Sequence, residues 1–597
     1  EGLFVRGGTA AESKTFIDGT LVNNFYYSSE PGLAARGRFN PFLFKGTIFS
    51  AGGYSALYGQ ALSSALILES IDLPAQSSAD IGFSYLAVGA GIQQLAKNKR
   101  SSWGLSYDYT DLTLAFKLIK QKPDYFKVPV LHNIDANFRI KTSKTGILKY
   151  YGMFGSTKVG FRYADIDSAG MKDAFNLQNV NIYHNLSWRE KIGDGWKMTM
   201  GGSYSTNRDD IHNEFQNENN QKQTLTTPML FAYKNFDVAT HGNYANAKVV
   251  IEKKLTGLSA LRFGSEYNYS NDKTDVILYN AKSVETVKEN ILSGFAEADI
   301  YITNDIAAKI GTRAEHSNLL GKWNVAPRLS LAYKFADNSQ ASFAYGIFYQ
   351  DPEKRHLPSA ARLDFAKATH YIVQYQKLSN SRTFRTELFY KKYQDLFKTA
   401  SNTGKETALN NNGYGRAKGF ELFWRDKKTI KNVDYWISYS YLDTKRDFLN
   451  YPTEIEPSFA SKHTASLVVK KFVTKLKTQF NGSYTYASGR PYYNIRYDNF
   501  SNAYKIFDAG KTKDYNSLSF SVNYLPNIGN TNAKKFTVIV LSITNVLGAN
   551  NIYSYNYSYN GLNKQPVTPP SKRFYYLGCF ISFGIDRTEN AVNNLIL

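Results

Sequence analysis

The sequence contains a single cysteine and no long hydrophobic run. Because Cys579 stands alone, the chain has neither a disulfide framework nor a pair of cysteine ligands for a metal. A transmembrane helix needs about 18 or more consecutive apolar residues, and no segment approaches that length. The mean hydropathy of −0.41 shows that the chain is polar on average. These absences exclude a small disulfide-bonded domain and a helical membrane protein.

The sequence also lacks the patterns that carry catalysis or bind metals. Its eight histidines never occur at the spacing of metal ligands, and there is neither an HExxH nor a GxSxG motif. Residues 510–512 (GKT) end like a phosphate-binding loop, but Lys505 stands where the first glycine of that loop belongs. We therefore predict no catalytic residue, no metal site, no cofactor and no enzyme activity.

Positive charge is in excess but is not concentrated in one region. The chain has 72 Lys and Arg against 50 Asp and Glu, a formal net charge of +22. The basic residues are spread along the whole chain, whereas a nucleic-acid-binding protein masses them on one face or in a tail. We predict no nucleic-acid partner. The charge instead suits contact with anionic lipopolysaccharide or attraction of an anionic ligand, with an electropositive outer vestibule.

What the sequence does contain is aromatic residues, with 45 Tyr and 39 Phe, and repeated alternation. From about residue 78 onward, segments of about nine to fifteen residues alternate apolar and polar side chains. A strand directs successive side chains to opposite faces, so each segment has one apolar and one hydrophilic face. The apolar set, predicted to face lipid, includes Leu329, Leu331, Phe343, Tyr345, Ile347, Phe520 and Val522. The polar set, predicted to face a lumen, includes Arg328, Lys334, Glu387 and Asp434.

The length of these segments separates a membrane barrel from a soluble all-β protein. Strands of soluble sandwiches are usually about five or six residues long, whereas a tilted membrane strand needs about nine to eleven. Short turns also alternate with longer polar stretches near 208–238, 271–287, 352–366, 397–414, 446–462, 489–514 and 549–572, as in barrels with long outer loops. We predict an all-β fold, a large closed antiparallel transmembrane β-barrel of about 22 strands.

Residues 1–75 differ from the rest and carry recognisable motifs. They include residues 5–8 (VRGG), 16–19 (FIDG) and 52–59 (GGYSALYG). In this order they resemble the plug of TonB-dependent transporters, and residues 37–44 (GRFNPFLF) resemble a branch common among Bacteroidota. Residues 413–422 (GYGRAKGFEL) and 544–548 (TNVLG) are similar to barrel landmarks of the same family. The resemblance spans nearly the whole chain.

The resemblance implies a division of the chain and a function. Residues 1–75 would be the C-terminal part of a plug segment inside the lumen, and residues 76–597 the barrel with its extracellular loops. The protein would lie in the bacterial outer membrane and actively import a bulky scarce nutrient, with TonB as the partner that moves the plug. The TonB box of the family is not in this sequence, so the chain is expected to be N-terminally incomplete. Residues 586–597 run on past the expected last strand, and no function is predicted for them.

Two other functions share these features. A plugged barrel that has lost transport would act as a structural or docking component of an outer-membrane complex, for example with a surface lipoprotein. A passive porin is disfavoured because residues 1–75 would obstruct its lumen. The sequence does not discriminate between a siderophore, haem, cobalamin, a glycan and a peptide as the nutrient.

Ligand-contact residues are nominated by their expected location. The plug stretch 23–40 would form an apical loop, and two outer loops would face it. Loops positioned by a rigid scaffold often carry binding residues. The nominated residues are Tyr26, Tyr27, Arg36 and Arg38 in the plug, Arg355 and His356 after Pro352, and Tyr553, Tyr555, Tyr557 and Tyr559 in the last long loop.

Overall fold

The computed structural model describes residues 2–28, 36–225, 229–279, 281–357, 363–402, 405–498, 500–501, 503–530 and 535–584. These residues form a closed β-barrel whose inner wall contacts a small N-terminal sheet. Within these ranges no helix is long enough and apolar enough to cross a membrane.

The N-terminal sheet has four strands, β1 (Ser13–Ile17), β2 (Thr20–Val22), β3 (Phe44–Ser50) and β4 (Ser64–Ser70). Their spatial order is β2-β1-β4-β3. Strands β1 and β4 are parallel, and the other two pairs are antiparallel. Short 3-10 helices precede β1 (Ala10–Glu12) and β3 (Pro41–Leu43).

After this sheet, the described residues form 26 further strands. They are β5 (Ser78–Ser84), β6 (Ala87–Leu95), β7 (Ser101–Asp111), β8 (Asp124–Ile140), β9 (Ile147–Ala164), β10 (Lys172–Gly193), β11 (Trp196–Gln216), β12 (Phe236–Lys254), β13 (Ala260–Leu278), β14 (Ala281–Tyr301), β15 (Ile306–Ser317), β16 (Lys322–Lys334), β17 (Ser339–Gln350), β18 (Ala366–Leu378), β19 (Arg382–Asn402), β20 (Lys405–Asp426), β21 (Val433–Asp447), β22 (His463–Val473), β23 (Thr478–Ala487), β24 (Pro491–Asp498), β25 (Ala503–Lys511), β26 (Tyr515–Tyr524), β27 (Lys535–Thr544), β28 (Ser554–Tyr557), β29 (Lys564–Val567) and β30 (Phe574–Phe583). Helices are short: α1 (Thr113–Leu118), α2 (Met229–Ala232) and the 3-10 turns Lys354–His356 and Thr474–Leu476.

Twenty-two of these strands close the barrel. Each pairs antiparallel with its sequence neighbour, except that β24–β25 and β28–β29 form separate hairpins between barrel strands. Strand β30 pairs with β5, with Cys579 opposite Phe83, and so joins the two ends of the sheet. Closure leaves no unpaired strand edge toward lipid. The predicted fold class and strand number are confirmed.

The alternation of side chains along the wall follows the sequence pattern. Leu331 and Phe520 are 41% and 44% exposed on the outer face, whereas Arg328 is buried on the inner face of β16. The side chain of Glu387 also faces inward, where it contacts Arg6 of the N-terminal segment. Apolar residues cover the lipid-facing side, and polar residues line the lumen, as expected of a membrane barrel.

The wall is much taller on one side than on the other. Strands β10 and β20 have 22 residues each, about 70 Å of extended chain, whereas β5 has only 7. The predictions that residues 271–287 and 397–414 are outer loops were wrong, because both ranges lie mostly in β13–β14 and β19–β20. A strand that rises above the membrane meets water on both faces. It therefore loses the apolar alternation by which strands are recognised.

Candidate functional site

The first four nominated residues lie on two paired arms of a hairpin, residues 25–28 and 36–39. Tyr26 and Gly37 form an isolated bridge, the Tyr27 N–H donates to the Arg36 carbonyl (3.0 Å), and the Arg38 N–H donates to the Phe25 carbonyl (3.1 Å). A Cβ at Gly37 would lie 2.9 Å from the Phe25 ring. Glycine at this position therefore allows the close approach of the two paired segments.

Aromatic packing anchors this hairpin to the barrel wall. Phe39 stacks on Phe25 (5.4 Å between centroids) and meets the edge of Tyr183 on β10 (5.1 Å). It also packs against Tyr151 on β9 (6.1 Å). The hairpin therefore has a fixed position over strands β9 and β10.

The two arginines of the hairpin differ in environment. Arg36 is exposed, whereas Arg38 is 3% exposed. Burial lowers the pKa of Arg38 to about 10, partly offset by Tyr27 and Asp209. Burial, together with the nearby charge of Asp135, raises the pKa of Tyr27 to about 12, and burial alone raises the pKa of Tyr26. The apex thus places a desolvated cation beside neutral phenols.

The outer loop after β17 docks on the N-terminal segment. The Asp351 N–H donates to Gln60 Oε1 (3.0 Å), and Lys354 forms an ion pair with Asp272 (3.1 Å). Of the two nominated residues, Arg355 is exposed and paired with Glu353 (2.8 Å), whereas His356 is buried at 8% exposure. Only Arg355 presents its side chain to solvent.

The nominated tyrosines belong to the outer hairpins. Tyr555 packs against Tyr492 of β24 (4.6 Å between centroids), and the Tyr557 hydroxyl donates to Asp508 of β25 (2.7 Å). Burial raises the pKa of Tyr553, and burial and the hydrogen bond to Asp508 raise that of Tyr557. Tyr555 and Tyr557 thus join β28–β29 to β24–β25. Both residues therefore have a structural role, whether or not they also bind a ligand.

Arg6 ties the N-terminal segment to the barrel. It adopts a left-handed backbone (φ 47°) in a tight turn closed by the Gly8 N–H and the Val5 carbonyl (2.8 Å). From there its guanidinium bonds Glu421 at 2.8 and 2.6 Å and Glu387 at 2.6 Å, with its side chain 2% exposed. Burial lowers the pKa of Arg6, but the hydrogen bonds and charges of Glu421 and Glu387 outweigh it and the pKa is raised.

Two more buried ion pairs join the segment to the wall. Arg446 of β21 holds Glu12 through two hydrogen bonds (2.5 and 3.0 Å), and its side chain is fully buried. Lys149 of β9 binds Asp18 at 2.9 Å. Arg328 donates to the carbonyls of residues 54, 55 and 58. Removing one member of a buried pair strands the other, so these contacts fix the position of the sheet strongly.

Sequence reasoning did not nominate these anchoring residues, although their motifs were visible. Arg6 lies in residues 5–8 and Glu421 in residues 413–422, both part of the family resemblance. Glu387 was predicted only to face the lumen. The sequence contains no sign that these residues pair, because Arg6 and Glu421 are 415 positions apart. Within the described part of the chain, no group of three or more His, Cys, Asp or Glu residues could hold a metal ion.

Comparisons with known proteins agree with this architecture. Residues 133–546 match the family model for the TonB-dependent receptor-like β-barrel. The outer membrane transporter YddB of Escherichia coli superposes with a TM-score of 0.71 at 12% identity, covering 98% of this chain and 92% of YddB. The ferric enterobactin receptor PfeA of Pseudomonas aeruginosa, in complex with enterobactin, superposes with a TM-score of 0.71 at 12% identity, covering 97% of this chain and 92% of PfeA. The pyoverdine receptor FpvA of the same species, bound to pyoverdine, superposes with a TM-score of 0.71 at 10% identity, covering 98% of this chain and 88% of FpvA.

At these identities the structural likeness is one of fold, and no curated protein sequence matches the chain. The family model covers more than half of the chain and rests on the sequence itself. This family match, together with the closed 22-stranded barrel, places the protein in the bacterial outer membrane. The chain belongs to the TonB-dependent receptor family.

Proposed function

We propose that this protein imports a bulky, scarce nutrient across the outer membrane and that TonB supplies the work. The observation that carries the proposal is the buried attachment of Arg6 to Glu387 and Glu421 inside a closed barrel. A wide barrel would otherwise be an open pore. A segment held by such contacts obstructs diffusion and moves only when external work displaces it.

The division of the chain follows from this proposal. Residues 1–75 act as the plug, and residues 76–597 form the barrel and its outer loops. In support, the last strand of the N-terminal sheet ends at Ser70, and the first barrel strand begins at Ser78. The proposal includes no catalysed reaction.

The ligand enters from outside and binds over the plug apex. Tyr26, Tyr27, Arg36 and Arg38 form its floor, with Arg355 and His356 to one side. Tyr553, Tyr555, Tyr557 and Tyr559 contribute from the outer hairpin. Supporting this assignment, Arg36, Arg355 and Tyr559 are exposed on elements that rigid contacts hold in position.

Energy transfer requires a segment that TonB grips. In the family that this chain resembles, that segment is the TonB box, and we propose that the chain is of the Bacteroidota type. Among other partners, lipopolysaccharide suits the net charge of +22.

A second candidate function is that of a docking component for a surface lipoprotein. It is favoured by apolar side chains at the tips of the outer hairpins. Phe500 is 98% exposed, Leu562 83% and Tyr559 74%. Exposed apolar groups outside the membrane are typical of protein contact surfaces.

Growth under limitation for single nutrients tests the two functions. Cells carrying the gene, a deletion or a tonB deletion are supplied with siderophores, haem, cobalamin, glycans or peptides one at a time. Import predicts that one nutrient supports growth only when both genes are intact. If deletion of the gene abolishes partner assembly while every uptake rate stays unchanged, the docking function replaces import.

A further inference from the structure

The short turns at one end of the barrel carry an uneven distribution of charge. Four of them, residues 96–100, 141–146, 427–432 and 474–477, contain ten Lys and Arg and no Asp or Glu. The six other short turns join β10–β11, β12–β13, β14–β15, β16–β17, β18–β19 and β26–β27. Their described residues contain three acids and no Lys or Arg. The first four turns are named the basic arc.

Closure of the barrel brings the turns of the basic arc to the same side. Two of the turns come from the start of the barrel sequence and two from near its end. Around the ring, β20 is followed by β21, β22, β23, β26, β27 and β30, and then by β5 to β9. The pairing of β30 with β5 therefore places the four basic turns on one side. The acids of the other turns, Asp194, Asp305 and Asp337, lie on the opposite side.

The cations of the basic arc are open to solvent, and apolar side chains lie among them. Nine of the ten residues are exposed, and the tenth, Lys477, is half-buried and donates to the Pro526 carbonyl (2.9 Å). At the tips of two of the turns, Ile430 is 52% exposed and Leu476 is 56% exposed. A lysine can lay its methylene stem over such apolar surface while its ammonium group reaches a polar layer. These tips therefore suit the boundary between hydrocarbon and water.

The basic arc lies at the edge of the apolar band of the wall. Trp103 is 48% exposed on the outer face and lies three residues from Arg100, about 10 Å along the chain. Its cross-strand partner Phe138 is 42% exposed and lies three residues from Lys141. Aromatic rings at the membrane surface sit at the level of the headgroups. The lysines just beyond these rings are therefore within reach of lipid headgroups.

We infer that the basic arc binds anionic phospholipid headgroups in the leaflet that faces the periplasm. Outer-membrane barrels direct their short turns to the periplasm and their long loops outward. A Lys or Arg near an anionic membrane surface favours that surface by about fivefold in affinity. The inference goes beyond the import function, because it concerns the lipid contacts of the barrel and not its cargo.

A soluble acidic protein fits the basic arc less well than lipid does. The four turns are distributed over twelve neighbouring strands of the ring, so one protein would have to reach around the wall to contact them all. A phospholipid headgroup is small, and each turn can bind its own molecule. The leaflet also surrounds the barrel at the level of Trp103 and Phe138, where a soluble partner would compete with lipid.

Spin-labelled lipids test the inference with two matched variants. The purified protein is reconstituted in phosphatidylcholine vesicles, and EPR spectra give the relative association of spin-labelled phosphatidylglycerol and phosphatidylcholine with the barrel. The arc variant carries Lys427→Gln, Lys428→Gln, Lys431→Gln and Lys475→Gln. The control variant removes four exposed cations from the other side of the same end, with Lys191→Gln, Lys254→Gln, Lys334→Gln and Lys377→Gln. Heat-modifiable migration on gels shows first that each variant is folded.

We expect the wild-type protein to favour phosphatidylglycerol by about twofold or more at low salt, averaged over all lipids at the wall. The arc variant should lose about four tenths of that excess, because four of the ten cations are removed. The control variant should keep most of it, because acids offset the cations on its side. At 1 M salt the screening length is only about 3 Å, so the preference should disappear.

Equal association of the two lipids with the wild type overturns the inference. An equal loss of preference in both variants also overturns it, because the effect would then belong to overall charge. Hexaglutamate, added to the protein in detergent, probes the alternative partner. If the wild type has no lipid preference but binds this peptide, and only the arc variant loses that binding, the basic arc is a docking site for an acidic protein. None of these outcomes depends on TonB, so they are separate from those of the growth experiment.

Discussion

Replacing Arg6 by Gln should release the plug from the wall without unfolding the barrel. The side chain is 2% exposed and binds two carboxylates of β19 and β20. Breaking a buried pair by removing one partner costs about 3–5 kcal/mol, since the other charge is left buried alone. That cost lowers the equilibrium constant for docking of the plug by roughly a hundredfold to a few thousandfold.

Hydrogen–deuterium exchange of the plug amides measures this effect. Amides of β1 and β4 exchange when the sheet detaches, so their protection should fall by that factor in Arg6→Gln, whereas the amides of the barrel strands keep theirs. Lys45→Gln is the matched control. Lys45 pairs with Asp72 at 3.0 Å, but its side chain is 32% exposed, and a partly solvated pair contributes about 1 kcal/mol or less.

The reasoning is refuted if β1 and β4 exchange equally in Arg6→Gln and Lys45→Gln. A second arm isolates the pairing itself. In a background with Glu387→Gln and Glu421→Gln, the same Arg6→Gln change should have a much smaller effect, because no buried charge is then stranded. An undiminished effect would assign the stabilisation to packing against Phe389, over whose ring the guanidinium lies at 4.7 Å.

Three further outcomes are expected. Leu331→Arg should lower the free energy of unfolding in lipid vesicles by about 2–4 kcal/mol, measured by urea titration, and parental stability would mean that this side chain does not face lipid. Gly59→Ala should reduce the hydrogen-exchange protection of the plug amides, because the added Cβ would lie 2.4 Å from a buried ion pair of β15. Gly46→Ala is the control and should leave that protection unchanged, because its Cβ would meet no atom within 4 Å. Hydrogen bonds led by that of Lys505 lower the pKa of Asp498 to about 2. A carboxyl with a depressed pKa contributes stability above its unfolded value of about 3.9 and loses it as the pH falls through about 2. In the wild-type protein, pepsin should therefore cut the β24–β25 tip increasingly as the pH falls from about 4 to 2. The Asp498→Asn variant should be cut already at about pH 4. Equal cleavage of both proteins would contradict this reasoning.

Much of the barrel could be predicted from the sequence because its determinants are local. The alternation around Leu331 and Phe520 reflects a period of two that any strand between lipid and water must have. Segment length then separated membrane strands from soluble ones. The prediction failed at 271–287 and 397–414, which lie mostly in β13–β14 and β19–β20. A strand that extends beyond the apolar band of the membrane no longer requires an apolar face.

The plug contacts required the tertiary structure. Arg6 meets Glu387 and Glu421 across 381 and 415 residues, and no local pattern encodes such a pairing. Arg36 and Arg38 look equivalent in the sequence, yet one is exposed and the other buried. Periodicity depends on the nearest neighbours along the chain, so the sequence by itself determines it. Burial and charge pairing depend on which distant strands closure brings together, so only the folded barrel decides them.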